Sequence, residues 1–399
     1  MNQRLRFKNL LPTLLLFSAA TQANTTALQA PEIEVTNNKV DYYKVQRTIP
    51  ELSTAFIDTS PAQRNDGIKV GKLSVNPAVE KALAKLGKEI AENKHDKYDS
   101  LLISQNDQLL FESYYSKGRI NLPHSQASAT KTYLSLAVGR AIQLGYLTME
   151  DLHKPVINFF KGLDQKSLAH GINKITLDHT LSMRSGLRIE DETLNALDKK
   201  AKTLAAKELV KTYFSKSAPV TKATQVYKYQ RSDPRITMLV LDSVVPGGAE
   251  KFIKRELIDK LGITEFDWRN NFGLPEGNYS AMMKSRDMLK WGKLMKDKGL
   301  WNKERLIPAA FIKQATSKIA IPHSKNYDFT NFDYGYYIWQ TDMTVGNQSY
   351  RCNMAWGGGG QYVIAFDELN LVIAVTARAR GVEDKTLTLV EERILPLFT

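Results

Sequence analysis

A single cysteine, Cys352, in 399 residues excludes an internal disulfide. Its setting in a strand-like run, far from any histidine-rich stretch, predicts a packed thiol rather than a nucleophile. The six histidines (His95, His124, His153, His170, His179 and His323) form no His-Glu-x-x-His and no paired ligand spacing, which argues against a metal site. Neither His124, four residues before Ser128, nor His179 has a sequence-level partner for a triad, and both read as structural. There is no Gly-x-Ser-x-Gly elbow, no internal repeat and no low-complexity tract. The chain also lacks a block of like charges: its formal excess of +13 is spread along its length. That pattern reads as a solvated basic surface suited to anionic envelope material, with no nucleic acid as partner.

Long apolar runs are missing as well. The longest early one, Leu10 to Ala20, is interrupted by Pro12 and falls short of the ~20 residues of a membrane-spanning helix. Arg4, Arg6 and Lys8 precede it and Thr21-Gln22-Ala23 follows, the layout of a cleavable secretory signal over residues 1–23. The mature protein is therefore expected to be exported, periplasmic or secreted, with no stable membrane span. Residues 24–95 contain turn-rich stretches (Ala30-Pro31, Ser60-Pro61, Asp66-Gly67) and then a helical pattern from Pro77 to Asn93, read as a leader or extension.

From Tyr98 the texture changes, and residues 96–399 read as one domain. Leu101-Leu102-Ile103 and Leu109-Leu110-Phe111 flank Asn106-Asp107, a β-hairpin signature. Ala129 to Leu144 repeats apolar residues at helical spacing and stops at Gly145. The middle is mostly helical, with Asp233-Pro234 expected to cap a run through Val245 and Ser285-Arg286-Asp287 to open another through Lys296. Strands are expected at Tyr334–Gln340, Ser349–Trp356, Gln361–Asp367 and Leu371–Ala377, and a last helix from Asp384 to Leu395. A hairpin, a helical insert, an antiparallel meander and a closing helix predict an α+β fold of two lobes: an antiparallel sheet flanked by helices, with a helical lobe inserted.

Three constellations carry chemistry. In Ser128-Ala129-Thr130-Lys131 the i, i+3 spacing sets the lysine amine beside the serine hydroxyl at a helix start. A serine is a poor nucleophile until a base takes its proton, and a lysine serves once burial and nearby positive charge lower its pKa. Alone, the Ser-x-x-Lys spacing is weak; as a motif it needs supporting context. The second is Tyr229-Gln230-Arg231-Ser232-Asp233, where a tyrosine near a lysine can relay a proton to the leaving group. Its bland counterpart is a packing tyrosine. The third is Trp356-Gly357-Gly358-Gly359-Gly360-Gln361, whose bare backbone can approach substrate and supply an oxyanion-hole amide, or simply form a turn.

Together these motifs resemble the serine β-lactamase and penicillin-binding-protein superfamily, specifically its class C-like branch with 6-aminohexanoate-dimer hydrolases and related esterases. Ser182-Met183-Arg184-Ser185-Gly186-Leu187, Ser285-Arg286-Asp287-Met288 with Gly292, and Tyr334-Gly335-Tyr336 match further signposts in order. The resemblance runs from about residue 98 to the end. It implies Ser128 as acyl-enzyme nucleophile, Lys131 as its base, Tyr229 (with Tyr227 as rival) as proton relay, and the amides of Ser128 and Gly358, beside Gly357, as oxyanion hole. It implies no cofactor. Two departures bear on substrate. Ala355-Trp356-Gly357 stands where the family carries Lys-Thr-Gly, and Arg231 replaces an asparagine, where it can itself hold a carboxylate. The expected reaction is hydrolysis of a small ester or amide through an acyl-serine. A slowly acylated envelope sensor and a non-catalytic scaffold are the alternatives.

Overall fold

The computed structural model describes residues 29–34, 40–322, 332–378 and 385–399. The proposed signal, residues 1–23, lies outside them, as do His323 and Asp384.

The main sheet has nine strands: β1 (Phe56–Asp58), β2 (Lys69–Val70), β3 (Tyr98–Gln105), β4 (Gln108–Tyr114), β5 (Asp333–Tyr334), β6 (Trp339–Val345), β7 (Gln348–Gly357), β8 (Gln361–Phe366) and β9 (Leu371–Ala377). Their spatial order is β1-β4-β3-β9-β8-β7-β6-β5, with β2 also against β4. The pairings are antiparallel except for the short parallel pair β2/β4, a departure from the all-antiparallel expectation. The β3–β4 hairpin closes on a two-residue loop, Asn106-Asp107, both at positive φ (50° and 63°), as a type I′ turn requires. Every residue of β8 and β9 is buried, which explains their continuous apolar runs. The ladder between β6 and β7 ends at Trp339 opposite Met354, and Ala355–Gly357 continues the pairing with β8.

Four helices matter here. Asn76 accepts from the Val79 amide at 3.3 Å and Pro77 fills the first turn of α1 (Pro77–Ala91), which buries Val79, Leu83, Leu86 and Ile90. Helix α2 (Thr130–Gln143) is buried along nearly its whole length, the site of the predicted Ala129–Leu144 helix. Helix α3 (Ser232–Val244) belongs to the helical lobe, and α4 (Ser285–Lys296) covers the sheet. A Cβ on Gly292 of α4 would stand 2.3 Å from Val372 Cγ1, so only glycine permits this helix to lie so close to β9.

The fold is α+β and two-lobed as expected, with the helical lobe inserted between β4 and β5. Four details differ. Part of the presumed extension, residues 56–91, contributes β1, β2 and α1 to the sheet and its cover. Asp233 does not cap α3: the N-cap is Arg231 without a side-chain bond, and Asp233 is buried inside the first turn. Tyr334–Gln340 is broken, because Tyr337 sits at φ 56° and its hydroxyl turns to Thr237 Oγ1 at 2.8 Å. The closing helix is α-helical over Thr386–Leu389, then widens into a π turn over Val390–Ile394.

Candidate active site

Ser128 lies in a single 3-10 turn, Ala127–Ala129, that leads into α2. Ala127 adopts φ 45°, a left-handed conformation costly for a residue with a Cβ. Gln126 pins the turn: its amide N–H donates to Ala281 O at 2.9 Å, its Nε2 to His124 O at 2.9 Å, and its Oε1 accepts from Tyr133 Oη at 2.7 Å. From the other side Thr130 Oγ1 donates to Ala127 O at 2.7 Å.

One helical turn on, Lys131 Nζ donates to Ser128 Oγ at 3.1 Å and to the main-chain carbonyl of Asn278 at 2.8 Å. Lys131 is only 4% exposed, and among the described residues no carboxylate lies within ion-pair distance of it. Burial lowers its pKa to about 7, with Arg235 helping and Glu276 opposing. Glu276 is itself committed to Arg235 at 3.0 Å and accepts from Asn278 Nδ2 at 2.6 Å. The site thus keeps a near-neutral amine against a hydroxyl, the arrangement a general base needs.

Tyr229 presents its ring to this amine, with Lys131 Nζ 4.9 Å from the ring centroid, and is 42% exposed. Tyr227 packs edge-on against Tyr334 at 5.2 Å. The loop carrying Tyr229 is clamped from below: Asp233 Oδ1 accepts from Ser185 Oγ and Gln230 Nε2, both at 2.7 Å. Burial pushes the Asp233 carboxyl up to about 6. The Ser182–Leu187 stretch, visible in sequence only as a signpost, is therefore one jaw of this clamp.

Gly357, at the end of β7, abuts the Ser128 turn: a Cβ there would fall 2.1 Å from Gln126 O. A Cβ on the neighbouring Gly358 would meet nothing within 4 Å, so its surroundings are open. Arg231 is placed differently from expectation. Its guanidinium is held by the helix Asp191–Lys199, on Asp198 Oδ2 at 2.5 Å and Asn195 Oδ1 at 2.8 Å. Ala355 is fully buried, and Trp356 stacks on Tyr362 at 5.7 Å and meets Trp339 at 5.0 Å, forming an aromatic wall that continues to Tyr229.

His124, expected to be structural, does have an acidic partner: Nε2 is 2.8 Å from Asp99 Oδ2 and Nδ1 is 3.1 Å from Ser125 O, so both ring nitrogens are taken up away from Ser128. His179 completes a capping box with Thr176. Cys352 is buried on β7 and burial pushes its thiol up to about 12. Among the described residues no group of three His, Cys, Asp or Glu could hold a metal, and no helix is long and apolar enough to cross a membrane. Sequence reasoning missed Gln126, Arg235, Glu276 and Asn278. Asn278 acts on Lys131 through its carbonyl, which leaves no residue-type signal.

A half-buried serine beside a buried lysine, on a sheet with a helical lobe inserted, marks the class of β-lactamase-like folds. The family model described as Beta-lactamase matches residues 99–392, and the chain belongs to that family, whose members include hydrolases. Among solved structures, similar folds include a Bacillus anthracis protein assigned provisionally as a 6-aminohexanoate-dimer hydrolase (TM-score 0.59, 15% identity, 85% of this chain and 86% of that one). Others are a D-stereospecific amidohydrolase from Streptomyces (0.57, 14%, 77% and 98%) and the octameric penicillin-binding protein homologue of Pyrococcus abyssi (0.58, 15%, 78% and 77%). No curated protein matches the sequence.

Proposed function

We propose that this chain is an exported serine hydrolase that cleaves a small ester or amide through an acyl-Ser128 intermediate. The observation that carries the reading is Lys131 Nζ at 3.1 Å from Ser128 Oγ with its pKa brought to about 7. Neutral Lys131 takes the Ser128 proton as Oγ attacks the carbonyl carbon. The amides of Ser128 and Gly358 hold the developing oxyanion. The proton passes by way of Tyr229 to the leaving alcohol or amine as its bond to the acyl carbon breaks. Water, deprotonated by the same groups, then releases the acid and restores Ser128.

Two features favour a neutral acyl group over a carboxylate-bearing one. Ala355 is buried where the family lysine stands, and the Arg231 guanidinium is occupied by Asp198. Linear amides and esters therefore fit better than β-lactams, and no cofactor enters the cycle. The test is intact-protein mass spectrometry after a fluorophosphonate probe, with p-nitrophenyl esters, a chromogenic cephalosporin and a linear amide dimer as substrates. One adduct on Ser128, absent in Ser128→Ala, with ester or amide turnover reduced at least ~10³-fold in that variant, is expected. Full turnover by Ser128→Ala would sink the reading, and the absence of any adduct would replace it with a scaffold.

A further inference from the structure

The end of the sheet far from Ser128 carries a second candidate site. Gly360 lies against Ala377 at the close of β9, near the nucleophile, whereas Asn370 precedes the start of β9; seven residues of strand put the two ends roughly 20 Å apart. At the Asn370 end a cavity of about 620 Å³ opens, within the size range of small-molecule sites. Its floor is apolar (Ile68, Leu289, Trp301, Val372), and five lysines but only two aspartates line it. Lys293 and Lys296 are engaged by Asp107 and Asp297. Among the described residues no carboxylate lies within ion-pair distance of Lys69, Lys298 or Lys303, so the wall keeps a cationic excess.

The backbone here is more telling than the charge count. Three turns converge on the cavity, and each places a charged residue where glycine is the favoured occupant. Trp301 pairs with Glu304 across the two-residue loop Asn302-Lys303, with both loop residues at positive φ (47° and 69°); Lys303 takes the second position, where a type I′ turn favours glycine. Asp107 takes the same position in the β3–β4 loop, at φ 63°. Lys298 follows the Asp297 C-cap of α4 at φ 53°. Its N–H reaches Met295 O at 3.1 Å and that of Gly299 reaches Leu294 O at 2.8 Å, a Schellman motif whose left-handed residue is usually glycine. Three turns thus hold charged side chains in left-handed conformations around one cavity, an arrangement that costs backbone energy at each.

We propose that this cavity is a phosphate-binding site, in which Lys69, Lys298 and Lys303 receive a phosphate-bearing group while Trp301 and the apolar floor receive its organic part. The group can come from a free phosphate ester or from an anionic lipid headgroup. The decisive variant is Lys298→Gly/Lys303→Gly, which removes two charges and relieves the strain together. Calorimetry with inorganic pyrophosphate, and co-sedimentation with phosphatidylglycerol-containing against pure phosphatidylcholine vesicles, read out the two sources. Saturable pyrophosphate binding, weakened roughly tenfold or more in the variant while its Tm holds or rises, supports the site and a soluble ligand. Phosphatidylglycerol-dependent sedimentation lost in the variant supports the headgroup. No binding of either probe by the unmodified protein, or equal binding by the variant, overturns the proposal. None of these readouts uses Ser128, so they stand apart from the hydrolase reading.

Discussion

Lys131 and Lys290 are both buried lysines, one on α2 beside Ser128, the other on the helix that covers the sheet. Lys290 has Asp287 Oδ1 at 2.6 Å and Gly262 O at 3.0 Å; Lys131 has a carbonyl, a hydroxyl and the Tyr229 ring and, among the described residues, no carboxylate, with Glu276 held off on Arg235. A paired charge is scaffold, because removing one partner strands the other in a low-dielectric interior. An amine buried without a carboxylate beside it has its pKa lowered, as Lys131 does to about 7. The difference between the two regions lies less in burial than in what each amine is denied.

Exchanging each lysine for methionine tests the contrast most severely. Lys131→Met is expected to cut Ser128 labelling by ~10³-fold or more while stability stays within about 1 kcal/mol, because the methionine matches the site in volume. Lys290→Met should do the reverse: about 3 kcal/mol of stability lost, with the labelling rate per folded molecule retained. Urea titration and probe kinetics on both variants give the four numbers.

Gly357→Ala comes next. Its Cβ meets Gln126 O at 2.1 Å, so the Ser128 turn must move, and labelling should fall ~10²-fold with about 2 kcal/mol of destabilisation. If the variant labels normally, the strand end does not position Ser128.

The smallest effect concerns pH. With Lys131 depressed from 10.5 to about 7, the unfolded chain binds more protons across that window, so this group costs the fold stability as pH falls through it. The labelling rate should rise through pH about 7 and then level. Glu276 raises the Lys131 pKa, so Glu276→Gln should move the midpoint to lower pH and increase the rate at pH 6 a few-fold. An unchanged midpoint would remove Glu276 from the electrostatics of the site.

What could be read from sequence was what short-range spacing encodes. Ser128 and Lys131 share one helical turn, and β8 and β9 are runs long enough to stand out. β1 and β2, of three and two residues, are too short to show alternation, so their membership of the sheet was invisible. Tyr337 breaks its strand with a left-handed residue two positions after Gly335, and a tyrosine does not announce that conformation. Arg231 read as a free anchor because its partner Asp198 lies 33 residues away on another helix. Asn278 was beyond reach altogether, since a carbonyl is common to all residues.

The β6–β7 ladder stops at Trp339 opposite Met354, and Ala355–Gly357 runs on beside the Ser128 turn. Three residues of strand span about 10 Å. Over that length β7 is held by β8 on one side and ends against Gln126 O at Gly357, so the position of Ser128 is tied to the middle of the sheet and not to its rim.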